Sequence, residues 1–379
     1  MKKILTGGAA LMMTASPIVA GGIERAPQSL AILFEQGNYA ELSFGGSDPT
    51  VQGQDNAPAV LGGPYNTGDI AQGYGFVGLS YKHQFNENLS AAIIMEQPFG
   101  ADVRYPTQPG PIPNPAEDGS VLLGGTIANV DSTTITGLVR YRFDNNVSVH
   151  GGIRASRADA RVVLNGAAYG PIAGYEVNLD NDWGAGYVVG AAYEIPEIAA
   201  RVSLTYNSKI EHKFDTTENI APGLSSTTTV DTPESVTIEG QTGIAPGTLL
   251  YGSIRWVNWS EFLVEPQVFT GATGGGLVSI EDTTTYIIGV GRKFTDTWSG
   301  SAHFSYEPSG DDLVSPLAPT NGRKGITVAA IYTMDNMKVT TGISYNTLGD
   351  AEPQTAGQSR GRMEDGDVWL VGVRVGYSF

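Results

Sequence analysis

The chain ends on Trp-Leu-Val-Gly-Val-Arg-Val-Gly-Tyr-Ser-Phe, residues 369–379, and this stretch decides the fold class. Its odd-numbered residues are apolar or aromatic, whereas its even-numbered residues include Gly372, Arg374 and Ser378. Successive side chains of a strand point to opposite faces, so one face of this strand is apolar and the other is polar or crowded. Transmembrane β-barrels require this alternation, and a terminal aromatic such as Phe379 on the last strand is typical of bacterial outer-membrane proteins.

The start of the chain predicts export. Lys2 and Lys3 precede an apolar stretch from Ile4 to Met13, and Ala20 stands before two glycines. This arrangement predicts a signal peptide over residues 1–20. No later stretch has the 18 or so consecutive apolar residues that a spanning helix needs, so a membrane location requires strands.

The composition fits an exported strand protein and excludes other classes. The chain has 50 Gly, 17 Tyr, no Cys and a formal net charge of −17. The glycines and tyrosines favour turns and strands. The absence of Cys excludes disulfides and thiolate metal sites, and so acidic a chain is a poor candidate for binding nucleic acid.

Alternating segments bounded by turn residues predict an all-β fold, a transmembrane antiparallel β-barrel of about fourteen strands. A short N-terminal segment over residues 21–37 would precede the barrel, which would occupy residues 38–379. Tight turns should face the periplasm and the long loops should face outward. The expected strands are 38–46, 72–85, 88–99, 127–143, 146–162, 181–195, 198–213, 233–243, 248–262, 279–294, 297–307, 323–334, 337–347 and 367–379.

Several segments resemble one known family. They are Pro233–Gly240, the Pro-Gly turn at 246–247, the strand end Trp256–Phe262, and Pro98-Phe99-Gly100. With the strand pairs from about residue 280 to the end, they are similar to the FadL/TodX family of long-chain fatty acid and hydrocarbon transporters of the outer membrane.

The resemblance implies a fourteen-stranded barrel with an N-terminal plug, called the hatch, and passive uptake of hydrophobic compounds with lateral release into the membrane. Long-chain fatty acids are the first expectation for the cargo. The alternatives are uptake of aromatic hydrocarbons by the same fold, a general water-filled porin, or a surface-loop protein for adhesion. Family members carry a longer hatch with an Asn-Pro-Ala motif. Here Asn114-Pro115-Ala116 falls in a loop, so that motif is not carried over.

Two segments are candidates for special roles in such a barrel. Leu30, Ile32, Leu33 and Phe34 are apolar enough to plug the lumen, although they could equally extend the first strand. Pro98 and Gly100 weaken a strand ladder, so they mark either a bend that opens the wall as a lateral gate or a simple strand end.

Strand parity predicts which charged residues point into the lumen. Arg140, Arg154 and Arg201 are candidates to bind an anionic headgroup, and Leu138 and Ile331 are candidates to line the path of an apolar tail. The alternative is that inward Arg and Glu side chains pair with each other and hold the barrel together. The full inward set is Arg140, Arg142, Arg154, Arg201, Lys209, Arg374, His303 and Glu307.

The sequence predicts no enzyme, no cofactor and no metal site, because the four histidines lack metal-ligand spacing and no catalytic motif occurs. The expected location is the bacterial outer membrane, with many crossings by a monomer. Expected partners are hydrophobic small molecules or fatty acids, outer-membrane lipids and lipopolysaccharide, and the barrel assembly machinery acting through Phe379. Nucleic acid is not an expected partner.

Overall fold

The computed structural model describes residues 23–25 and 29–379. The predicted signal peptide, residues 1–20, lies outside the described residues. The remainder is a closed antiparallel barrel of 14 wall strands, which confirms the predicted fold class. Three wall strands each consist of two segments, β3 with β4, β8 with β9, and β10 with β11. The strands are β1 Tyr39–Asp55, β2 Tyr74–Gln84, β3 Leu89–Glu96, β4 Gly100–Arg104, β5 Ile127–Arg142, β6 Val147–Leu164, β7 Tyr175–Ile195, β8 Ala200–Asn207, β9 Ile210–Glu218, β10 Ser225–Thr232, β11 Ser235–Ala245, β12 Thr248–Val257, β13 Thr283–Lys293, β14 Trp298–Glu307, β15 Leu313–Val314, β16 Arg323–Met334, β17 Met337–Leu348, β18 Glu352–Thr355, β19 Gln358–Ser359 and β20 Gly361–Ser378.

The first and last strands close the barrel. Strand β1 pairs with β2 on one side and with β20 on the other, in a register that places Tyr39 opposite Ser378. The N–H of Phe379 donates to the carbonyl of Asn38 at 3.1 Å. Closure removes the open sheet edge that lipid could not satisfy.

The outer face of the wall is apolar, with aromatic rings near the strand ends. Leu42, Ile153 and Val371 are exposed on its middle part. Aromatic side chains are exposed at both ends of the strands, among them Tyr141, Tyr193, Trp298, Tyr377, Trp183, Tyr306, Tyr345 and Trp369. An apolar band between two aromatic rims is typical of a barrel wall that crosses a bilayer.

The strands extend farther on the side of the long loops than the alternation predicted. Strand β1 continues to Asp55, β7 begins at Tyr175, and β20 begins at Gly361. The expected strand over 248–262 instead ends at Val257, because Trp259–Glu261 form a 3-10 helix. Beyond the apolar band the outer face of a strand no longer contacts lipid. The alternation of apolar and polar residues is therefore missing there, although the hydrogen bonds of the strand ladder continue.

Lys209 does not point into the lumen, and the prediction for this residue is wrong. It is exposed, while the neighbouring residues Asn207, Ser208 and Ile210 are buried. The break between β8 and β9 places two consecutive residues on the inner side, which reverses the parity beyond it. Lys209 pairs on the outer face with Asp231 at 2.7 Å.

The described helices are short. The α-helix α1 spans Gln267–Thr273, and the 3-10 helices are Ala31–Phe34, Ala59–Leu61, Ala167–Ile172, Pro196–Ile198 and Trp259–Glu261. None of the helices in the described part of the chain has the length and apolar character to cross a membrane.

A charge on the outer face tests the placement of the wall in lipid. Ile153 is 75% exposed near the middle of β6. We expect Ile153→Arg to lower the free energy of unfolding by about 2–4 kcal/mol, because the bilayer core does not solvate a guanidinium. Denaturant unfolding in lipid vesicles measures this loss. Ile112→Arg, at an exposed loop residue, is the matched control, and equal unfolding midpoints for the two variants would contradict the assignment.

Candidate functional site

The interior of the barrel holds two apolar clusters. The lower cluster, on the side of the tight turns, contains Leu30, Ile32, Leu33, Phe34, Tyr39, Ala92, Ile94, Leu138, Val188 and Ala192. The upper cluster lies on the side of the long loops and includes Val51, Phe99, Tyr105, Trp259, Phe269 and Leu317. Burial raises the pKa of the Tyr105 hydroxyl well above its ordinary value, so this side chain stays neutral. The lumen is therefore packed with apolar side chains at both ends.

Residues Leu30 to Phe34 lie inside the barrel and do not extend the first strand. Ala31–Phe34 form a 3-10 helix, in which Leu33 is fully buried, and this helix contacts β2 and β3. The N–H of Leu33 donates to the carbonyl of Leu30 at 3.0 Å. A plugging role for these residues stays a prediction.

Two of the predicted arginines hold the ring of Phe34. The Arg140 and Arg201 guanidinium carbons lie 4.5 and 3.9 Å from the centre of this ring. Arg140 also donates to the carbonyl of Leu33 at 3.0 Å and forms an ion pair with Glu194. Cation–π contacts of this kind stabilise a desolvated aromatic by about 2 kcal/mol. Both arginines therefore contact the inner helix, and binding of an anionic headgroup by them stays a prediction.

The other predicted lumen residues lie apart from the inner helix or at its margin. Arg154 is buried, and its Nε has no hydrogen-bond partner among the described residues. The carboxylates of Glu96 and Glu24 attract its positive charge. Leu138 is part of the lower cluster, whereas Ile331 is buried on β16. Their roles in a tail path stay predictions.

Ion pairs close the lumen below the inner helix. Lys82 donates to the carbonyl of Glu35 at 2.5 Å, and the Glu35 carboxylate pairs with Lys338 at 2.8 Å. Arg374 pairs with Glu41 at 3.2 Å in the same region. These contacts tie the chain that leaves the inner helix to β2 and β17.

The wall has a gap where the third wall strand breaks. The ladder between β2 and β3 ends where Leu79 lies opposite Met95. The next bridge pairs Ala71 with Val103, beyond the break between β3 and β4. We call the intervening stretch, residues 72–78 and 96–102, the wall gap. Within this described stretch the two strands share no ladder pair.

Side chains supply hydrogen bonds on both sides of the break between β3 and β4. On the β5 side, the hydroxyl of Ser132 donates to the carbonyl of Phe99 at 2.6 Å, and the N–H of Phe99 donates to the hydroxyl oxygen of Ser132 at 3.0 Å. The N–H of Val77 donates to Oε1 of Gln97 at 3.2 Å. Pro98 and Gly100, the predicted bend, flank Phe99 at this break, and a gating role for them stays a prediction.

The N-terminal segment Ile23–Arg25 lies along the inner side of the wall gap. The N–H of Arg25 donates to the carbonyl of Pro98 at 2.8 Å, and the N–H of Gly100 donates to the carbonyl of Ile23 at 2.8 Å. Glu24 pairs with Arg255 across the lumen, where Nη2 and Nε of Arg255 donate to the two carboxylate oxygens of Glu24 at 2.5 and 3.2 Å. Three residues thereby act as a short extra strand at the break.

A small cavity of about 50 Å³ adjoins the wall gap. Its walls are mainly apolar and come from Ile23, Val51, Val103 and Leu317, with Arg25 and Asp102 as the charged members. Pockets for apolar ligands have this character, many hydrophobic walls and few polar groups.

Two buried carboxylates fix the loops above the cavity. Asp55 accepts from the N–H groups of Tyr65 and Val121 at 3.1 and 2.8 Å, and from the hydroxyl of Ser120 at 2.9 Å. Glu218 accepts from the N–H of Phe269 at 2.7 Å, at the start of α1. Each carboxylate ties distant loops together with charge-assisted hydrogen bonds.

Sequence reasoning predicted a short N-terminal segment but missed the contacts of Ile23–Arg25 with the wall, and it missed Asp55 and Ser132. Arg25 and Glu24 have partners 106 and 231 residues away, so no local pattern announces them. Among the described residues, no cluster of three or more His, Cys, Asp or Glu could hold a metal ion.

Residues 15–379 match the family described as outer membrane protein transport protein (OMPP1/FadL/TodX). The chain belongs to this family. It is therefore an outer-membrane transport protein, in a family of channels rather than of enzymes. No curated protein sequence matches the chain significantly.

Solved structures of this fold include family relatives. A Pseudomonas aeruginosa FadL homologue is 16% identical over 95% of this chain and 96% of that chain, with a TM-score of 0.70. The P. putida toluene transporter TodX is 14% identical over 91% of this chain and 90% of that chain, with a TM-score of 0.63. The Ralstonia pickettii toluene transporter TbuX is 13% identical over 98% and 94%, with a TM-score of 0.61. At these identities the likeness establishes the FadL/TodX fold.

Removing the ring of Phe34 tests whether the inner helix seals this FadL/TodX barrel. We expect Phe34→Ala to raise single-channel ion conductance in planar bilayers, because the two arginines lose the ring that they hold in the lumen. Phe44→Ala, on the lipid-facing side of β1, is the matched control and should leave conductance unchanged. Equal conductance of both variants and the parent chain would show that the seal lies elsewhere.

Proposed function

We propose that this protein is a channel for passive uptake of hydrophobic compounds, long-chain fatty acids first, with lateral release through the wall gap. The observation that carries the proposal is one juxtaposition. An apolar cavity adjoins a break in the wall, while the inner helix and its ion pairs lie in the lumen on the side of the tight turns.

Lateral release suits an apolar cargo energetically. Each Å² of apolar surface that leaves lipid for water costs about 25 cal/mol, so release into the aqueous periplasm opposes transport. A path from the cavity through the wall gap keeps the cargo in contact with apolar groups until it reaches lipid. Pro98 cannot donate to a strand ladder and Gly100 has no side chain, which favours a break at this position.

The charges of the lumen favour a cargo with a carboxylate. Arg25 lines the cavity, and Arg154 is buried with an Nε that has no hydrogen-bond partner among the described residues. A cation in a partly dehydrated site attracts an anionic headgroup more strongly than it would in water. Toluene is named as the cargo of TodX and TbuX, so aromatic hydrocarbons are the second candidate.

A general porin is a weaker candidate. A porin needs an aqueous path along the barrel, whereas the described lumen contains two apolar clusters and paired charges. We also propose that the protein acts as a monomer among outer-membrane lipids and lipopolysaccharide. Phe379, stacked on Tyr81 at 6.0 Å between ring centres, would serve as the signal for the barrel assembly machinery.

The test is uptake of radiolabelled palmitate by cells that lack their own transporter, alongside conductance of the pure barrel. We expect uptake that depends on this protein together with very low conductance. Arg154→Ala should lower uptake about tenfold, as expected for the loss of one charge-assisted contact to the cargo. Arg142→Ala, at an exposed strand end, is the matched control.

Two other results would decide against the proposal. Uptake of toluene without uptake of palmitate would make hydrocarbons the cargo. A large stable conductance without uptake of either compound would make the protein a porin.

A further inference from the structure

We propose that the ion pair between Arg25 and Asp131 is a latch that holds the N-terminal segment in the wall gap, and that the carboxylate of an acidic apolar cargo releases it. The inference rests on the proposed lateral release. It adds a specific closing device and a reason for selecting acids over neutral compounds of the same shape.

The pair connects the inside of the barrel with the outside. Arg25 belongs to the N-terminal segment on the inner side and is buried. Asp131 lies on β5 next to the inward, buried Ser132, so its side chain points outward and is 57% exposed. Nη1 of Arg25 is 3.1 Å from Oδ1 of Asp131. The guanidinium therefore reaches through the break in the wall.

The wall gap is shaped around this guanidinium. Gly100 lies directly opposite Asp131 in the ladder, and a Cβ added to Gly100 would overlap the guanidinium of Arg25. On another side, the guanidinium carbon lies 4.5 Å from the ring centre of Tyr74. A missing side chain and an aromatic ring thus leave a slot for one planar cation.

The latch has features that allow a cargo to release it. Nε of Arg25 has no hydrogen-bond partner among the described residues, so this N–H group can still donate to a cargo. The side chain of Asp131 is 57% exposed, so solvent screens the attraction between its carboxylate and Arg25. Because Arg25 also lines the cavity, a cargo carboxylate there can accept two parallel hydrogen bonds from the guanidinium.

A neutral cargo cannot replace Asp131 as the charged partner of Arg25. An ester or hydrocarbon that passes the slot must separate Arg25 from Asp131 without giving the cation a new charged partner, and an uncompensated buried charge is costly. A carboxylate replaces the lost partner at the same time as it frees the slot. The latch therefore predicts faster transport of an acid than of its ester.

The experiment compares uptake of palmitate and methyl palmitate, which share one chain and differ in charge. Cells without their own transporter would carry the parent protein, Asp131→Asn, Arg25→Ala or Gly100→Ala, each verified in the outer membrane. Asp159→Asn is the matched control, because it removes the neighbouring carboxylate that does not contact Arg25.

For the parent protein and Asp159→Asn we expect uptake of the acid to exceed that of the ester roughly tenfold. Asp131→Asn and Arg25→Ala should raise ester uptake and bring the ratio near one. Gly100→Ala should do the same without removing a charge, because its methyl group displaces the guanidinium.

Two outcomes separate a failed latch from a failed function. Uptake of both cargoes at one unchanged ratio in every variant would overturn the latch and leave the proposed transport standing. No uptake of either cargo by correctly inserted parent protein would overturn the transport proposal, and the latch with it.

Discussion

Every backbone N–H and C=O inside the bilayer has to find a partner within the protein, because hydrocarbon offers none. The closed ladder from β1 to β20 meets this demand almost everywhere. Around the break in the third wall strand it is met by other means, namely the hydroxyl of Ser132 on the β5 side, and the amide of Gln97 and the backbone of the N-terminal segment on the β2 side. Side chains and a separate segment therefore take the place of a strand ladder there.

The same demand explains why the lumen is so highly charged in an acidic protein. The inward cations are paired with carboxylates, carbonyls or an aromatic ring, as the contacts of Arg140, Lys82 and Arg255 illustrate. Ionic contacts of this kind bind the inner helix and the N-terminal segment to the wall at defined positions. Apolar clusters above and below then exclude water, which strengthens those contacts.

The wall could be predicted from the sequence because lipid imposes a period of two on every crossing. The strands near Trp369–Phe379 and over β16 follow that period closely, and they were placed within a few residues. The period fails where lipid is absent, as in the upper part of β1, or where a break reverses parity, as at Lys209. The inward direction of Arg140 and Arg201 followed from the same rule, whereas their contact with Phe34 did not, because it depends on how a separate segment folds into the lumen.

The contacts that close the wall gap belong to a class that no local pattern reveals. Arg25 stands in a short stretch between a predicted signal peptide and the first strand, where a single arginine has no distinguishing context. Its proposed role depends on Gly100 and Asp131, which lie opposite each other on β4 and β5. Gly100 opposite the outward carboxylate of Asp131 carries no sequence signal by itself, because the cation beside them comes from the N-terminal segment. The proposed lateral release needs a seal that can open reversibly, and the proposed ion-pair latch meets this need because a cargo carboxylate can replace one of its partners, whereas apolar packing gives an acid no advantage over a neutral cargo.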